Sequence, residues 1–185
     1  MTAATREAKI DAIMEQASQA LAETRYFEAE RLAWQALNAA QSSRDYERMG
    51  RIILPLQEAR RHRYQQALDV GRVTVVETPF EAEVEVEPGC YLFQPPMVGA
   101  DARRFRLLAL EQEVPVAVIC REPTTDLGMC PIVAIGPGGT VRTKVDLPED
   151  EAAPEMEWFV ETMELLGEFA VITIDQGLSV SKRVD

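Results

Sequence analysis

One histidine and three cysteines occur among 185 residues, and those four side chains bound the nucleophilic and metal chemistry open to the chain. His62 lies among Arg60, Arg61 and Arg63, far in sequence from Cys90, Cys120 and Cys130. A Cys–His or Ser–His nucleophile pair needs both groups within hydrogen-bond reach, so His62 would have to reach the other half of the chain. Zinc sites need closely spaced Cys and His ligands, and the intervals between these cysteines are too wide to form one. There is no Gly-x-Ser-x-Gly elbow, no Gly-x-Gly-x-x-Gly fingerprint and no Gly-rich phosphate loop ending in Gly-Lys-Ser/Thr. No catalytic residue, metal or cofactor is expected, and the chain reads as a non-enzyme.

Three charged patterns remain. Glu81, Glu83, Glu85 and Glu87 alternate with Ala82, Val84 and Val86, which on a strand puts all four carboxylates on one face, with neighbours about 6.8 Å apart. That spacing suits a solvated face better than a cation site. Arg44, Arg48 and Arg51 form a helical stripe, and Arg60–Arg63 a cluster, suited to an acidic partner surface, though interleaved Glu47 and Glu58 also fit an ordinary solvated face. The arginine stripe and the glutamate face are complementary, within one molecule or between two copies. Cys120 ends an apolar run next to Arg121, whose charge would favour the thiolate; a small buried hydrophobe is the first reading.

A fourth pattern depends on topology. If the strands around 90–93 and 115–120 are parallel, the loops 94–101 and 121–126 face each other across the crevice where open α/β sheets bind ligands. Gly99 and Ala100 would open a helix with free amides suited to an anion. Asp101 lies in the same loop, and Arg103, Arg121, Thr124 and Thr125 would supplement the amides. A small-ligand site, for an anion or a nucleotide, is the alternative to an interaction protein.

The composition, 46% apolar and 27% charged, excludes a disordered chain. No apolar run approaches the roughly 20 residues that span a bilayer. The first thirty residues lack a signal-peptide pattern. An odd number of widely spaced cysteines argues against a disulfide framework, so a reducing, cytoplasmic setting is expected. Residues 1–70 carry ten basic and ten acidic side chains, whereas residues 71–185 carry nine against twenty-one and hold the whole net charge of −12. That acidity disfavours nucleic acid and anionic membrane as partners.

The elements that must carry these residues divide the chain into a helical module, 1–70, and a mixed α/β domain, 71–185. Ile10, Ile13, Met14, Ala17, Ala20 and Leu21 form one helical stripe, and Ala29, Leu32, Ala33, Ala36, Leu37 and Ala40 form a second after a break at Thr24–Arg25–Tyr26. A third helix, capped by Ser42 or Ser43 with Asp45 answering, carries Met49, Ile52, Ile53, Leu56, Ala59, Tyr64, Ala67 and Leu68. Pro55 is expected to bend it. With Tyr26–Phe27–Glu28–Ala29 opening the second helix, Ala36–Leu37 closing it and Ala17 in a small-residue slot, residues 8–41 resemble a tetratricopeptide repeat. The chain departs from that family at Ile13, where Trp is common, and at Gln41, where Pro is common. The resemblance implies a helical hairpin that docks a protein partner. Too few repeats are present for a free-standing solenoid, so the unit should lean on a partner or on the second domain.

Beyond residue 70 the pattern predicts strands at Val73–Glu77, Ala82–Val86 and Cys90–Phe93, a helix from Ala100 to Gln112, and a buried parallel strand at Val114–Cys120. A hairpin follows, Ile132–Ile135 and Val141–Val145 around Gly136–Pro137–Gly138–Gly139. Pro154 should open a last helix that Gly167 ends, leaving Phe169–Ile174 as a final strand. Residues 70–185 resemble bacterial proteins of uncharacterised function, which implies no activity. The expected fold is α+β, a three-helix tetratricopeptide-like module followed by a mixed sheet with two helices. The expected function is a non-catalytic interaction or scaffold protein with a protein partner, and with self-association open.

Overall fold

A computed structural model describes residues 3–81, 83–126, 128–136, 139–174 and 177. It contains three N-terminal helices, then a five-stranded mixed sheet with two further helices, an α+β arrangement. The chain divides into two compact units, Met1–Gln65 and Gln66–Asp185, so the division falls inside the third helix and not after it.

In the first unit, α1 (Ala3–Ala22), α2 (Tyr26–Ser42) and α3 (Tyr46–Leu68) bury one face each. Ile10, Ile13, Ala17, Ala33, Leu37, Ile52 and Leu56 form a common core. Ala20, Ala29 and Ala59, all fully buried, form a second cluster in which only a methyl-sized side chain fits. Pro55 lies inside α3 without ending it.

The two turns between these helices share one design. Arg25 N–H donates to the Ala20 carbonyl and Asp45 N–H to the Ala40 carbonyl, each at 2.9 Å and five residues back. Thr24 (φ 61°) and Arg44 (φ 56°) take the left-handed conformation that this helix-ending motif needs. The expected serine cap of α3 is therefore replaced. Ser42 and Ser43 turn back onto carbonyls of α2, and the Asp45 carboxylate accepts from Arg48 N–H at 3.1 Å. An aspartate is at least as good a cap as a serine.

The second unit places its strands in the order β1 (Val73–Val76), β2 (Gly89–Phe93), β3 (Val116–Arg121), β4 (Cys130–Gly136) and β5 (Gly139–Val145). The first three are parallel and the last two antiparallel. Between β2 and β3 runs α4 (Gly99–Glu111), packed on β3 and β4. Phe93, Cys120 and Val133 meet Ala102 and Phe105 of α4 in one core. The last helix, α5 (Met156–Ile172), packs on β4 and β5 through Phe159, Thr162 and Leu166.

Three expected features differ. Residues 83–86 form no strand, because the side-chain amide of Gln112 bonds the backbone there: Val86 N–H donates to its Oε1 at 2.9 Å, and its Nε2 donates to the Val84 carbonyl at 2.8 Å. Glu81, Glu83, Glu85 and Glu87 are nonetheless exposed, with Val86 buried, while Ala82 lies outside the described residues. The helix α5 begins after Pro154, capped at Glu155, and runs through Gly167 to Ile172, so residues 169–172 are helical where a strand was expected. One glycine costs only about 1 kcal/mol in a helix interior, less than the packing of α5 through Phe159, Thr162 and Leu166 supplies. Pro137, Gly138 and most of the tail from Gln176 lie outside the described residues.

Candidate functional site

The single histidine and the three cysteines are all engaged in the fold. The His62 ring stacks on Tyr26 with centroids 4.7 Å apart, and its Nε2 lies 3.1 Å from Glu58. The three cysteines are free thiols, and all are buried. Burial pushes the Cys90 thiol up to about 11 and the Cys120 thiol up to about 12, and it raises Cys130 as well. Arg121 does not favour a Cys120 thiolate: desolvation dominates, and Glu122 and Asp101 act in the same direction. A charge held in a buried site would oppose reaction at any of the three.

The loops 94–101 and 121–126 do follow parallel strands at one sheet edge, but their functional groups do not converge. Val76, Phe93 and Cys120 share a row in register, so the next residues along, Glu77, Gln94 and Arg121, form a row on the opposite face. The Gln94 amide joins them: its Nε2 donates to Glu77 Oε1 at 2.6 Å, and its Oε1 accepts from Arg121 Nη1 at 3.4 Å. Arg121, 8% exposed, also donates to Thr124 Oγ1 at 3.0 Å and meets the Glu151 carboxylate at 2.6 Å. The N-terminus of α4 lies on the other face, where Gly99 packs against Val133 and Ile135 and would bring a Cβ within 3.1 Å of Val133. Asp101 accepts from Val98 N–H and caps α4, Arg103 is exposed, and Thr125 folds back on Met129. Of the six expected residues only Arg121 and Thr124 meet, and the Arg121 charge is already paired with the Glu151 carboxylate. The row ties three strand ends to the segment before α5.

A shallow hollow of about 290 Å³ lies between β5 and α5, lined by Lys144, Asp146, Trp158, Glu161 and Thr162 among others. The Trp158 indole N–H is already given to the Asp146 carbonyl at 2.9 Å. Among the described residues no three His, Cys, Asp or Glu side chains converge as a metal ion would require.

The arginine stripe is split by the fold. Arg48 pairs with Asp11 and Asp45, and Glu7 lies 3.8 Å away, so its charge is spent inside the unit. Arg44 and Arg51 are exposed and carry no ion pair among the described residues. Further along α3, Arg60 and Arg63 clasp Glu30 of α2 and lie over the Trp34 and Phe27 rings, and Arg61 pairs with Glu58.

An exposed apolar face remains on α3, and the shared turn design identifies it. Advancing twenty residues from the first turn to the second carries Tyr26, Glu30 and Trp34 of α2 onto Tyr46, Gly50 and Leu54 of α3. The α2 set is the face that receives α3, through the Tyr26–His62 stack, the Glu30–Arg60 pair and Arg60 over Trp34. The α3 set is open: Tyr46 is 68% and Leu54 69% exposed, and nothing lies within 4 Å of where a Gly50 side chain would begin. Spaced four apart, the three share one helix face, with a notch at the glycine between two apolar projections. The apolar stripe expected on α3 omits all three, because it follows the buried face. The signal in the sequence is the recurrence of a tyrosine opening the helix, Tyr26 and then Tyr46, twenty residues apart.

No helix of the described chain is long and apolar enough to cross a membrane. No family model, no curated protein and no solved structure matches this chain.

Proposed function

We propose that this chain is a non-catalytic interaction protein, whose helical unit, similar to a tetratricopeptide repeat, receives an amphipathic helix of a protein partner on the outward face of α3. The observation that carries this reading is the open set Tyr46, Gly50 and Leu54, at the positions where α2 receives α3. A glycine inside a helix costs about 0.5–1 kcal/mol relative to alanine. Gly50 meets no neighbour that would forbid a side chain, so nothing among the described residues requires it. Close approach of an outside helix does. Helices in grooves are held by apolar anchors one turn apart, the spacing these residues offer. The acidic second unit serves as scaffold or second contact, and its charge turns nucleic acid away. Three buried free thiols fit the reducing environment of the cytoplasm.

The test is capture of partners from the native host on immobilised full-length chain, with Leu54→Glu run in parallel. Leu54 is exposed, so the substitution leaves the core alone and puts a charge on the face. A partner retained by the wild type and lost with Leu54→Glu is the expected result. Equal retention on both would remove α3 as the docking surface.

A further inference from the structure

The helix that suits this face best is α3 itself. We infer that a second copy of this chain docks antiparallel on α3, about a twofold axis at Gly50; this rests on the reading of that face as a docking surface. In such a pairing the residue a given number of positions before Gly50 meets the residue the same number after it in the copy. Tyr46 then packs on the second copy's Leu54, and Leu54 on the second copy's Tyr46. Self-complementarity of this kind is what a twofold interface requires. Gly50 meets the second copy's Gly50 at the closest approach of the backbones, where any larger residue would hold the helices apart.

Charge makes the pairing specific. Glu47 and Arg51 are exposed on one flank of the face, and neither has an ion pair among the described residues. Arg51 attracts Asp11 only at longer range. Glu47 lies three positions before the axis and Arg51 one after it, so each Glu47 is offset from the second copy's Arg51 by two residues, about 3 Å along the helix. Two symmetric ion pairs therefore form at the rim. Three face residues flanked by two charges are far fewer than the roughly 20–30 residues a side of a stable complex, so the dimer is weak and concentration-dependent.

Sedimentation velocity on the full chain across a concentration series reads this directly. The average mass should climb from one chain toward two as concentration rises. Arg51→Glu or Glu47→Arg alone should weaken association about tenfold, since each sets like charges together. The double reversal Glu47→Arg with Arg51→Glu re-forms both pairs and should restore it. Gly50→Gln, which has open space within the monomer, should abolish association with helical circular dichroism intact. A wild type that stays monomeric up to about 1 mM, or a double reversal as weak as the single ones, overturns the inference. If the chain is monomeric while Leu54→Glu still loses a captured protein, self-docking fails and the interaction reading stands.

Discussion

Arg48 grips both oxygens of Asp11, with Nε 2.8 Å from Oδ1 and Nη2 2.9 Å from Oδ2. The fork joins the first turn of α3 to α1, across thirty-seven residues of sequence, while the third guanidinium nitrogen holds the Asp45 cap at 2.7 Å. Bidentate Arg–carboxylate contacts are among the better-defined surface pairs, and this one sets how α3 lies on the hairpin.

The Arg48 side-chain hydrogen bond holds the Asp11 carboxyl below its ordinary value, and the Arg48 backbone N–H and then its guanidinium do the same for Asp45. A carboxylate depressed in the folded state contributes stability that is full above its unfolded pKa, about 3.9, and lost as pH falls through the folded one. Arg48→Gln should therefore melt lower than wild type at neutral pH. The gap should close as both proteins are taken below about pH 4. A gap that persists unchanged in acid would assign the loss to packing of the Arg48 stem instead.

Ala29 has no exposed surface and meets Ala20 and Ala59. Ala29→Arg inserts volume and an unpaired charge at that contact, at a cost of roughly 3–5 kcal/mol. Thermal unfolding followed by circular dichroism should show the helical unit melting early. Wild-type helicity and melting would contradict the close packing of α1, α2 and α3.

The thiols offer a check on the second unit. With the Cys90 and Cys120 thiols pushed up to about 11 and about 12, almost no thiolate exists at neutral pH. Native protein should label slowly with iodoacetamide, and denatured protein should take three labels by mass spectrometry. Rapid native labelling of Cys120 would contradict its burial, and a disulfide between any two would contradict the reducing-compartment reading.

Gly50→Ala separates folding from function. With open space at the Cβ position and a helical backbone, the substitution should raise the unfolding free energy in urea by about 0.5–1 kcal/mol. A loss of stability would mean that Gly50 serves the fold itself.

Much of this fold can be read from periodicity. The alanine stripes of α1 and α2 and the apolar run of β3 need only one neighbour each to explain them. The departures arise where a side chain from elsewhere decides. Val84 and Val86 alternate like a strand, yet Gln112 supplies the hydrogen bonds a neighbouring strand would have given. Residues 169–172 are β-branched or aromatic at three of four positions and still extend α5, since local preference yields to a helix already nucleated. At the sheet edge the parallel pairing of β2 and β3 is legible, but a crevice built from the loops alone leaves out the parity of Arg121. A side chain one position past Cys120 must point away from α4. The face on α3 was harder to see, because exposed residues leave no periodic signature. Only the recurrence of Tyr26 as Tyr46 marks it.

In the proposed function Tyr46, Gly50 and Leu54 touch another protein. The most direct measurement places a photo-crosslinking amino acid at Leu54 of the full chain in its native host, with exposed Gln35 of α2 as the control position. Irradiation should yield one discrete adduct from position 54 and none from position 35, and an adduct of twice the chain mass would identify the second copy. If position 54 yields no more adduct than position 35, the outward face of α3 is only solvated surface, and the interaction reading is wrong.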